Sequence, residues 1–429
     1  MTSNQKSYVV PMITIGALFF IYGFFTWLNS VLIPFLKQAC ELTDFQAYFV
    51  TFAFYISYFV MAIPSSFILK NTGFTRGMAI GLGVMAAGCL IMIPAATIRS
   101  YPLFLLGLFC QGTGMTLLQT ASNPYITILG PIESAAKRIS IMGICNKFAG
   151  MIGIFILVEL LFSDTEAITA RIASLSGAEL SAELDALASR VIVPYAVMAV
   201  LLAGFAVGIN RAHLPEIDPE EDTSSAGADS HEKKSLFDFP HLMLGVLCIF
   251  VYVGVEVIAI DTMSLYGQFL GFDLATAGRF GIYSLLALVA GYLIGIAIMP
   301  KYLSQANALA ICAALGFVFT VGALLTSGTT SIVFIILLSF AHALMWPCIW
   351  PLAIDKLGRI TKTASALLIM GIAGGALMPL VYGAVADASN RQAAYWIMLP
   401  MYLYILYFAA KGYRVGRTLA TRVSAGQTM

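Results

Sequence analysis

The chain has 429 residues, of which 60% are hydrophobic and only 10% are charged, and its formal net charge is +1. Soluble domains average about 25% charged residues, so this composition indicates a chain whose solvent is a lipid bilayer. A near-neutral charge disfavours nucleic acid as a partner. The seven cysteines form no CxxC pair, which disfavours disulfide frameworks and zinc sites. The sequence contains no Walker-type phosphate loop and no nucleophile–base constellation, so it indicates neither an ATP-driven pump nor an enzyme.

Apolar stretches that are long enough to cross a bilayer recur along the whole chain. A hydrocarbon core of about 30 Å requires roughly 20 residues of helix. The stretches are continuous rather than alternating, which favours helices over a membrane β-barrel. The sequence therefore predicts an all-α membrane protein with twelve transmembrane helices. Their expected limits are residues 8–35, 44–69, 76–98, 101–128, 139–163, 190–210, 241–270, 275–299, 305–326, 330–356, 361–386 and 392–412.

The predicted helices divide into two halves. A charged segment at 211–240 lacks apolar residues that could pack, and we expect it to be a cytoplasmic linker. It separates an N-terminal six-helix bundle at 1–210 from a C-terminal six-helix bundle at 241–429. The motif IMGI occurs at 141–144 and again at 369–372, at equivalent places in the two halves. Internal repeats of this kind are typical of transporters whose two bundles hold a substrate near the middle of the membrane.

The distribution of basic residues predicts the orientation. Lysine and arginine are concentrated at the span ends on the side that carries both termini. The positive-inside rule then predicts a multi-pass protein with cytoplasmic N- and C-termini. The loop at 164–189 lies on the opposite, outer side, and its sequence predicts one short amphipathic helix.

Polar side chains inside the predicted spans are candidate functional residues, because such residues are costly to insert into a membrane. In the first half they are Asn29 and Ser30 in the first span, Gln119 and Asn123 in the fourth, and Asn146 and Lys147 in the fifth. An amide offers a donor and an acceptor, so it suits the hydroxyl groups of a substrate. The alternative is that these amides only hold neighbouring helices together.

Lys147 places an ammonium about two turns inside the fifth span. A buried ammonium needs an acceptor or loses its proton. It can pair with an acid, stand permanently in the place of a coupling cation, or snorkel to the membrane interface. The sequence leaves these three alternatives open.

Two acids lie in the seventh predicted span. Glu256 follows Tyr252 by one helical turn, so the two side chains share a face. Asp261 is about 140° further round an ideal helix, so both acids can reach one point only if the helix kinks or unwinds. The alternative is that one of them is a structural partner of Lys147 or Arg279.

The tenth predicted span carries His342, Trp346 and Trp350 at four-residue spacing. On one continuous helix this spacing gives a polar-aromatic stripe, which suits the C–H faces and hydroxyl groups of a sugar ring. The alternatives are that the tryptophans fill a helix interface or belong to the aromatic belt of the membrane. His342 is also a weaker candidate for a proton relay.

Five further acids lie near the ends of predicted spans, where they can reach water. We expect them to cap helices or to lock the two halves together. They are Asp44, Glu159, Asp273, Asp355 and Asp387.

Long blocks of the sequence match a known family. They are residues 27–59, which begin WLNSVLIPF; residues 117–147, which begin LLQTASNPY; LPEI at 214–217; YVGVEV at 252–257; and LAIDKLGRITKTAS at 352–365. These blocks resemble the major facilitator superfamily, in particular its fucose permease branch and the glucose/galactose permeases within it. The resemblance implies a secondary active sugar importer of a bacterial inner membrane that works as a monomer.

The sequence departs from the fucose-type pattern at the acids to which proton coupling is tied. The family motifs LND and LET are matched here at Ser30 and Gln119, and neither side chain titrates. Asn146 matches a family asparagine near the site, whereas Lys147 and Asp261 have no counterpart in that pattern. The resemblance therefore does not carry the fucose-type proton mechanism over to this chain.

Together these observations predict import of a glucose- or galactose-like hexose by cation symport. The expected sugar site is Asn29, Gln119, Asn123, Asn146, Tyr252, Glu256, His342, Trp346 and Trp350. The expected coupling residues are Ser30, Lys147, Glu256 and Asp261, of which the two acids suit Na+ because hard cations prefer oxygen ligands. Sodium is slightly favoured over the proton, and no cofactor is expected. The alternatives are a uniporter in which Lys147 replaces the cation, and an importer of an amino sugar such as N-acetylglucosamine.

Overall fold

A computed structural model describes residues 3–128, 135–162, 164–211, 238–299, 301–355, 357 and 361–416. Within these residues the regular structure is helical. The helices of the first half are α1 (Ser3–Trp27), α2 (Asn29–Ala39), α3 (Asp44–Ala47), α4 (Phe49–Thr97), α5 (Tyr101–Ile128), α6 (Ala135–Phe162), α7 (Thr165–Ser174), α8 (Gly177–Ser189) and α9 (Ile192–Arg211). Those of the second half are α10 (Pro240–Asp261), α11 (Met263–Phe269), α12 (Leu274–Ile298), α13 (Gln305–Leu325), α14 (Gly328–His342), α15 (Met345–Ile354), α16 (Thr361–Met370), α17 (Gly374–Ala388) and α18 (Met398–Ala410).

In the described part of the chain, eleven helical stretches are long and apolar enough to cross a membrane. One of them, Asp44–Thr97, has 54 residues. At about 1.5 Å per residue such a helix would be far longer than a membrane is thick. It is broken at Gly73, whose φ of 76° and ψ of 171° are not helical. The break divides the stretch into two crossings, which agrees with twelve transmembrane helices.

Several crossings are interrupted inside the membrane. Leu28 separates α1 from α2, and Thr262 separates α10 from α11. These are the first and the seventh crossings, which are equivalent positions if the chain is an internal repeat. A further short 3-10 turn, Gly371–Ala373, separates α16 from α17. The backbone at Leu28, Thr262 and Met370 keeps right-handed helical dihedral angles, so the chain continues in the same direction through each interruption.

The tenth crossing corrects one expectation. His342, Trp346 and Trp350 do not lie on one continuous helix, because α14 ends at His342 and α15 begins at Met345. Pro347 explains the new start: it has no backbone N–H to donate and is tolerated in the first turn of a helix. The four-residue spacing alone therefore did not fix the relative directions of His342 and the two tryptophans.

The loop after α6 corrects a second expectation, because it contains two helices, α7 and α8, rather than one. Gly177, with a φ of 60°, starts the second helix after the turn at Ser176. We call the end of the bundle that carries α7 and α8 the cap end. We call the opposite end, where α9 ends at Arg211 and α10 begins at Pro240, the linker end. Most of the predicted linker, residues 212–237, lies outside the described residues.

We expect Gly73→Ala to lower the stability of the protein. A φ of 76° with an extended ψ is a conformation that glycine adopts and that residues with a Cβ avoid, at a cost of about 1–3 kcal/mol. Thermal unfolding of the purified protein in detergent measures the effect.

Gly83→Ala is the matched control. Gly83 lies in the same helix, is exposed, and has open space where a Cβ would be built. Alanine favours a helix by up to about 1 kcal/mol over glycine, so this variant should be neutral or slightly stabilised. Equal losses in both variants would contradict the conformational explanation.

Candidate functional site

Charged side chains join the two halves at the cap end. Asp44 is 5% exposed and accepts two hydrogen bonds from Arg391, Nε to Oδ2 at 2.7 Å and Nη2 to Oδ1 at 2.9 Å. Lys37 also donates to Asp44. Asp387 accepts from the backbone N–H groups of Asp44 and Phe45, each at 2.9 Å. We call Asp44, Asp387 and Arg391 the cap latch, and it confirms the predicted locking role of the two acids.

The remaining acids at span ends also have structural partners. Glu159 forms an ion pair with Arg279 across the two halves. Asp273 caps α12 by accepting from the backbone N–H of Thr276 at 2.8 Å, and its hydrogen bonds with Thr276 lower the pKa of Asp273. At Asp355 the backbone oxygen lies 3.1 Å from the ring of His241. The expected role of Glu159 in locking and of Asp273 in capping is therefore confirmed.

The carboxylate of Asp44 stabilises the charged form of Arg391. Burial opposes the charge, but the hydrogen bonds and the negative charge of Asp44 outweigh this effect and raise the pKa of Arg391. Its third contact is a hydrogen bond from Nη1 to the carbonyl oxygen of Leu265 at 3.0 Å. The guanidinium thus ties α11 of its own half to Asp44 of the other half.

Deeper between the halves, the break after α10 is held by hydroxyl groups. Ser264 donates to the carbonyl oxygen of Ser30 at 2.9 Å. That oxygen is free because the residue four positions later is Pro34, which has no N–H for the helical bond. Thr51 donates to Asp261 Oδ2 at 3.3 Å. Both bonds cross between the halves.

Asn29 and Ser30 differ in how their polar groups are used. Ser30 turns its hydroxyl back to the carbonyl oxygen of Trp27 at 2.8 Å, so the side chain bonds within its own helix. Asn29 is 1% exposed, and within the described residues its Nδ2 has no hydrogen-bond partner. The Nδ2 donor of Asn29 is thus unused within the described residues, whereas the hydroxyl of Ser30 is already occupied.

The polar residues of the fourth and fifth crossings meet aromatic side chains. Gln119 donates from Nε2 to the hydroxyl of Tyr58 at 2.9 Å. Asn146 accepts from the indole N–H of Trp27 at 3.2 Å. The Lys147 ammonium lies 4.3 Å from the ring centre of Trp27, at the distance of a cation–π contact. For Asn123 the helical backbone is described, but its side chain lies outside the described residues.

Lys147 is buried rather than snorkelling, since only 8% of it is exposed. Among the described residues no carboxylate forms a salt bridge with it. Glu256, on the opposite half, is near enough to attract the ammonium electrostatically. The two side chains therefore face each other across the interface between the halves without direct contact.

The second half contributes a connected group of aromatic rings. Tyr252 lies 6.4 Å from Trp346 between ring centres, and Trp346 lies 5.4 Å from Trp350. His342 meets Tyr252 edge-on at 6.5 Å. Both tryptophans are partly buried and pack against the core. The stripe that the sequence predicted is therefore present as a cluster, although two helices build it.

His342 is engaged with its own half. Its Nε2 lies 2.6 Å from the hydroxyl of Tyr402, and the residue is fully buried. Within the described chain its Nδ1 has no hydrogen-bond partner. Through these contacts His342 packs against Tyr252 and Tyr402 of its own half. We therefore interpret it as a support for the ring of Tyr252.

Several residues near the candidate site were not among the expected ones. Thr51, Tyr55, Tyr58 and Trp27 come from the first half, and Tyr292 comes from the second. Tyr55 and Tyr292 both lie close enough to Glu256 to interact with it electrostatically. In the sequence, Tyr55 and Tyr292 stand out only as tyrosines inside a predicted span. The chain has 19 tyrosines, so this feature does not separate site residues from the others.

The structure thus brings most of the expected residues into two facing groups. In the first half Asn146 and Lys147 contact Trp27, and Gln119 contacts Tyr58. In the second half Tyr252 of the aromatic cluster lies beside Glu256. Asp261 lies apart from Glu256, towards the cap end. Among the described residues, no three His, Cys, Asp or Glu side chains are grouped as a metal site would require.

Comparison with known proteins assigns the family. The family model described as Major Facilitator Superfamily matches residues 15–379. The chain belongs to the Major Facilitator Superfamily. This confirms the predicted fold class and the resemblance found in the sequence. As a member of this family the chain is a multi-pass membrane transporter and not an enzyme.

Named relatives within this family cover nearly the whole chain. The "Glucose/galactose transporter" of Brucella abortus biovar 1 (strain 9-941) is 32% identical over 418 residues, which are 96% of each protein. The "L-fucose-proton symporter" of Escherichia coli (strain K12) is 28% identical over 392 residues, which are 90% of this chain and 89% of that protein.

Solved structures agree with the fold. A crystal structure of the MFS transporter FucP in the outward conformation has a TM-score of 0.71 and 27% identity, and covers 95% of this chain and 99% of that chain. A bacterial homologue of the lysosomal transporter Spinster, inward-facing and occupied, has a TM-score of 0.66, with 97% and 98% coverage. At 15% identity the second likeness shows the fold alone.

We expect Arg391→Gln to open the cap end. The substitution leaves Asp44 buried with Lys37 as its remaining cation, and losing one partner of a buried charge pair costs about 2–5 kcal/mol. This cost destabilises the closed state relative to the open state, because the ion pair joins the two halves. Reaction of a cysteine introduced at Tyr48, which is fully buried in this structure, with a thiol reagent added at the cap end measures the opening.

Arg171→Gln is the control for the loss of a positive charge at the cap end. Its ion pair with Glu183 joins α7 to α8 within one half. Reactivity at position 48 should rise in the Arg391 variant and stay unchanged in the Arg171 variant. An equal rise in both would mean that charge alone, rather than the cap latch, keeps this end closed.

Proposed function

We propose that this chain imports a hexose-type sugar, glucose- or galactose-like, by cation symport with alternating access. The observation that carries the proposal is the pairing of two facing groups in the interface. Hydrogen-bonding amides lie on the first half, and an aromatic cluster lies on the second. Relatives named for glucose/galactose and for fucose transport support a sugar as the substrate class.

The chemistry of the two groups fits a sugar. Gln119, Asn146 and Asn29 supply donors and acceptors for hydroxyl groups without a net charge. Trp346 and Tyr252 offer ring faces that suit the C–H face of a sugar ring. A ligand that contacts both groups favours the state in which the halves are close together. Binding and the movement of the halves are then linked.

The proposed transport cycle follows from the division into bundles at 1–210 and 241–429. The cap latch and the Glu159–Arg279 pair close the cap end in this structure. In the expected orientation, with cytoplasmic termini, that end faces outwards. The protein then sits in a bacterial inner membrane as a monomer, with an outward-facing state that requires the latch to separate.

We propose the proton as the coupling ion, in place of the sodium ion that the sequence slightly favoured. Two relatives are named as proton symporters. The two acids inside the spans, Glu256 and Asp261, can each carry one proton. A sodium ion at either acid would need several further oxygen ligands, because hard cations bind in shells of oxygen atoms.

Two alternatives differ from this proposal in measurable ways. In the uniporter, Lys147 already neutralises Glu256, and no ion gradient changes the final sugar accumulation. The electrostatic attraction between these two residues is the observation that favours it. In the amino-sugar importer, N-acetylglucosamine stabilises the protein where glucose and galactose do not, since the donor of Asn29 can meet an acetamide oxygen.

Trp346→Ala should weaken sugar binding. Loss of a stacked aromatic ring removes roughly 0.5–1.5 kcal/mol, so the dissociation constant should rise about two- to tenfold. Thermal-shift titrations of purified protein with glucose, galactose, mannose and N-acetylglucosamine measure the affinity, because a ligand that binds the folded state stabilises it.

Trp396→Ala is the matched control, since Trp396 is 58% exposed on the 3-10 helix Ala393–Ile397 that precedes α18. Its sugar affinity should equal that of the wild type. If none of the four sugars stabilises the wild type, or if both tryptophan variants bind equally well, the proposed sugar site is wrong.

Uptake of labelled sugar into proteoliposomes should follow an imposed proton gradient. A protonophore should abolish accumulation, and replacement of sodium by choline should leave it unchanged. Glu256→Gln should lose accumulation, whereas Glu179→Gln, at an exposed position of α8, should keep it. Accumulation that requires sodium would restore the ion that the sequence favoured, and accumulation without either gradient would favour the uniporter.

A further inference from the structure

Asp261 is a buried carboxyl group that lies between the proposed sugar site and the cap end. It is 1% exposed and ends α10, five residues beyond Glu256, so it lies about 7.5 Å further along the helix axis. Its Oδ2 accepts one long hydrogen bond from Thr51. Across the described residues its Oδ1 has no hydrogen-bond partner, and no cation forms a salt bridge with it.

The hydrogen bond to Asp261 joins the two halves in this structure, where the cap end is closed. Thr51 belongs to α4 of the first half, and Asp261 belongs to α10 of the second. The same interface holds the bond from Ser264 to the Ser30 carbonyl oxygen and, further out, the cap latch. When the halves separate at this end, these contacts part together, and water from the cap end reaches the carboxyl group.

The free-energy cost of ionising Asp261 therefore differs between the closed and the open conformation of the cap end. An ionised carboxylate with one weak hydrogen bond is strongly disfavoured in a dry interior, whereas a neutral carboxylic acid is tolerated there. In the open state water solvates the ion. A proton on Asp261 thus favours closure, and by linkage closure favours binding of the proton.

The groups around Asp261 also favour its neutral, protonated form in the closed conformation. Glu256 on its own helix is a second acid, and its charge interacts with that of Asp261. Tyr48 and Tyr55 face it from the first half, and tyrosines are neutral at physiological pH. The nearby Thr262 is bonded to the hydroxyl of Tyr395, which is also neutral. Further towards the cap end, Arg391 is bonded to Asp44.

We infer that Asp261 binds a proton delivered from the cap end, and that this proton permits the cap end to close. The proton comes from water, adds to the carboxylate and leaves when the carboxyl group next meets water. The inference rests on the proposed function for its place in symport, where it supplies the coupling step. It assigns that step to a position other than Ser30 and Gln119, which do not titrate.

The distance between nitroxide labels at the cap end tests the inference without any sugar. Ala178→Cys on α8 and Ser389→Cys after α17 are exposed positions on opposite halves, and they are introduced after the seven native cysteines are replaced. In the wild type the closed population should grow as the pH falls. In Asp261→Asn, which resembles the protonated acid, the ratio of closed to open protein should be pH-independent and roughly tenfold or more above that of the wild type at alkaline pH.

Two further variants keep the test decisive. Asp273→Asn removes an exposed acid at the cap end of the same half while leaving a good helix cap, and it should keep the pH dependence of the wild type. Thr51→Val should lower the closed population at every pH but preserve its rise on acidification, because the acid remains. This variant also provides the answer if Asp261→Asn does not fold.

Wild-type pH dependence in Asp261→Asn would overturn the inference. If Asp261→Asn does not fold, loss of the pH response in Thr51→Val would do so. Closure that follows added sodium at constant pH would overturn it as well, in favour of a sodium ion at the same carboxyl group. Because no sugar is present, the inference can stand if the proposed sugar fails, and it can fail while sugar binding at the aromatic cluster is observed.

Discussion

The absence of water inside a membrane is the constraint on which this structure depends. A polar group that enters the hydrocarbon region must find its partner within the protein. Here the partners of several buried groups come from the opposite half: Asp44 with Arg391, Ser264 with the Ser30 carbonyl oxygen, and Thr51 with Asp261. The polar groups that make a transporter costly to insert thereby hold its closed state together.

The same constraint gives different roles to groups at different depths. At the cap end Arg391 is paired directly with Asp44, and Asp387 accepts hydrogen bonds from the backbone of the other half, so closure there depends on the geometry of these bonds. Deeper in, Asp261 has a single hydroxyl as its partner among the described residues, and this contact is the basis for the proton-dependent closure that we infer. Near the middle, Lys147 and Glu256 attract each other without contact.

Proline and the helix breaks explain why these contacts form where they do. Pro34 removes the donor that would otherwise occupy the Ser30 carbonyl oxygen, and Ser264 takes its place. Thr262, which interrupts the seventh crossing, separates the helix that carries Glu256 from the short helix that carries Ser264. The breaks therefore let one crossing contribute both to the proposed sugar site and to the interface at the cap end.

Composition and the lengths of apolar stretches were sufficient to predict the twelve helices and the membrane environment, because insertion energy depends on residue type and number. Polar residues inside those stretches could be identified as candidates for the same reason. The sequence could not determine their partners. The bonds of Thr51 to Asp261 and of Trp27 to Asn146 join residues 210 and 119 positions apart, and only the packing of helices brings them together. The interruption between His342 and Trp346 has a local cause, because Pro347 lacks the N–H of a helical hydrogen bond. Only tertiary packing brings both rings against Tyr252 of another helix.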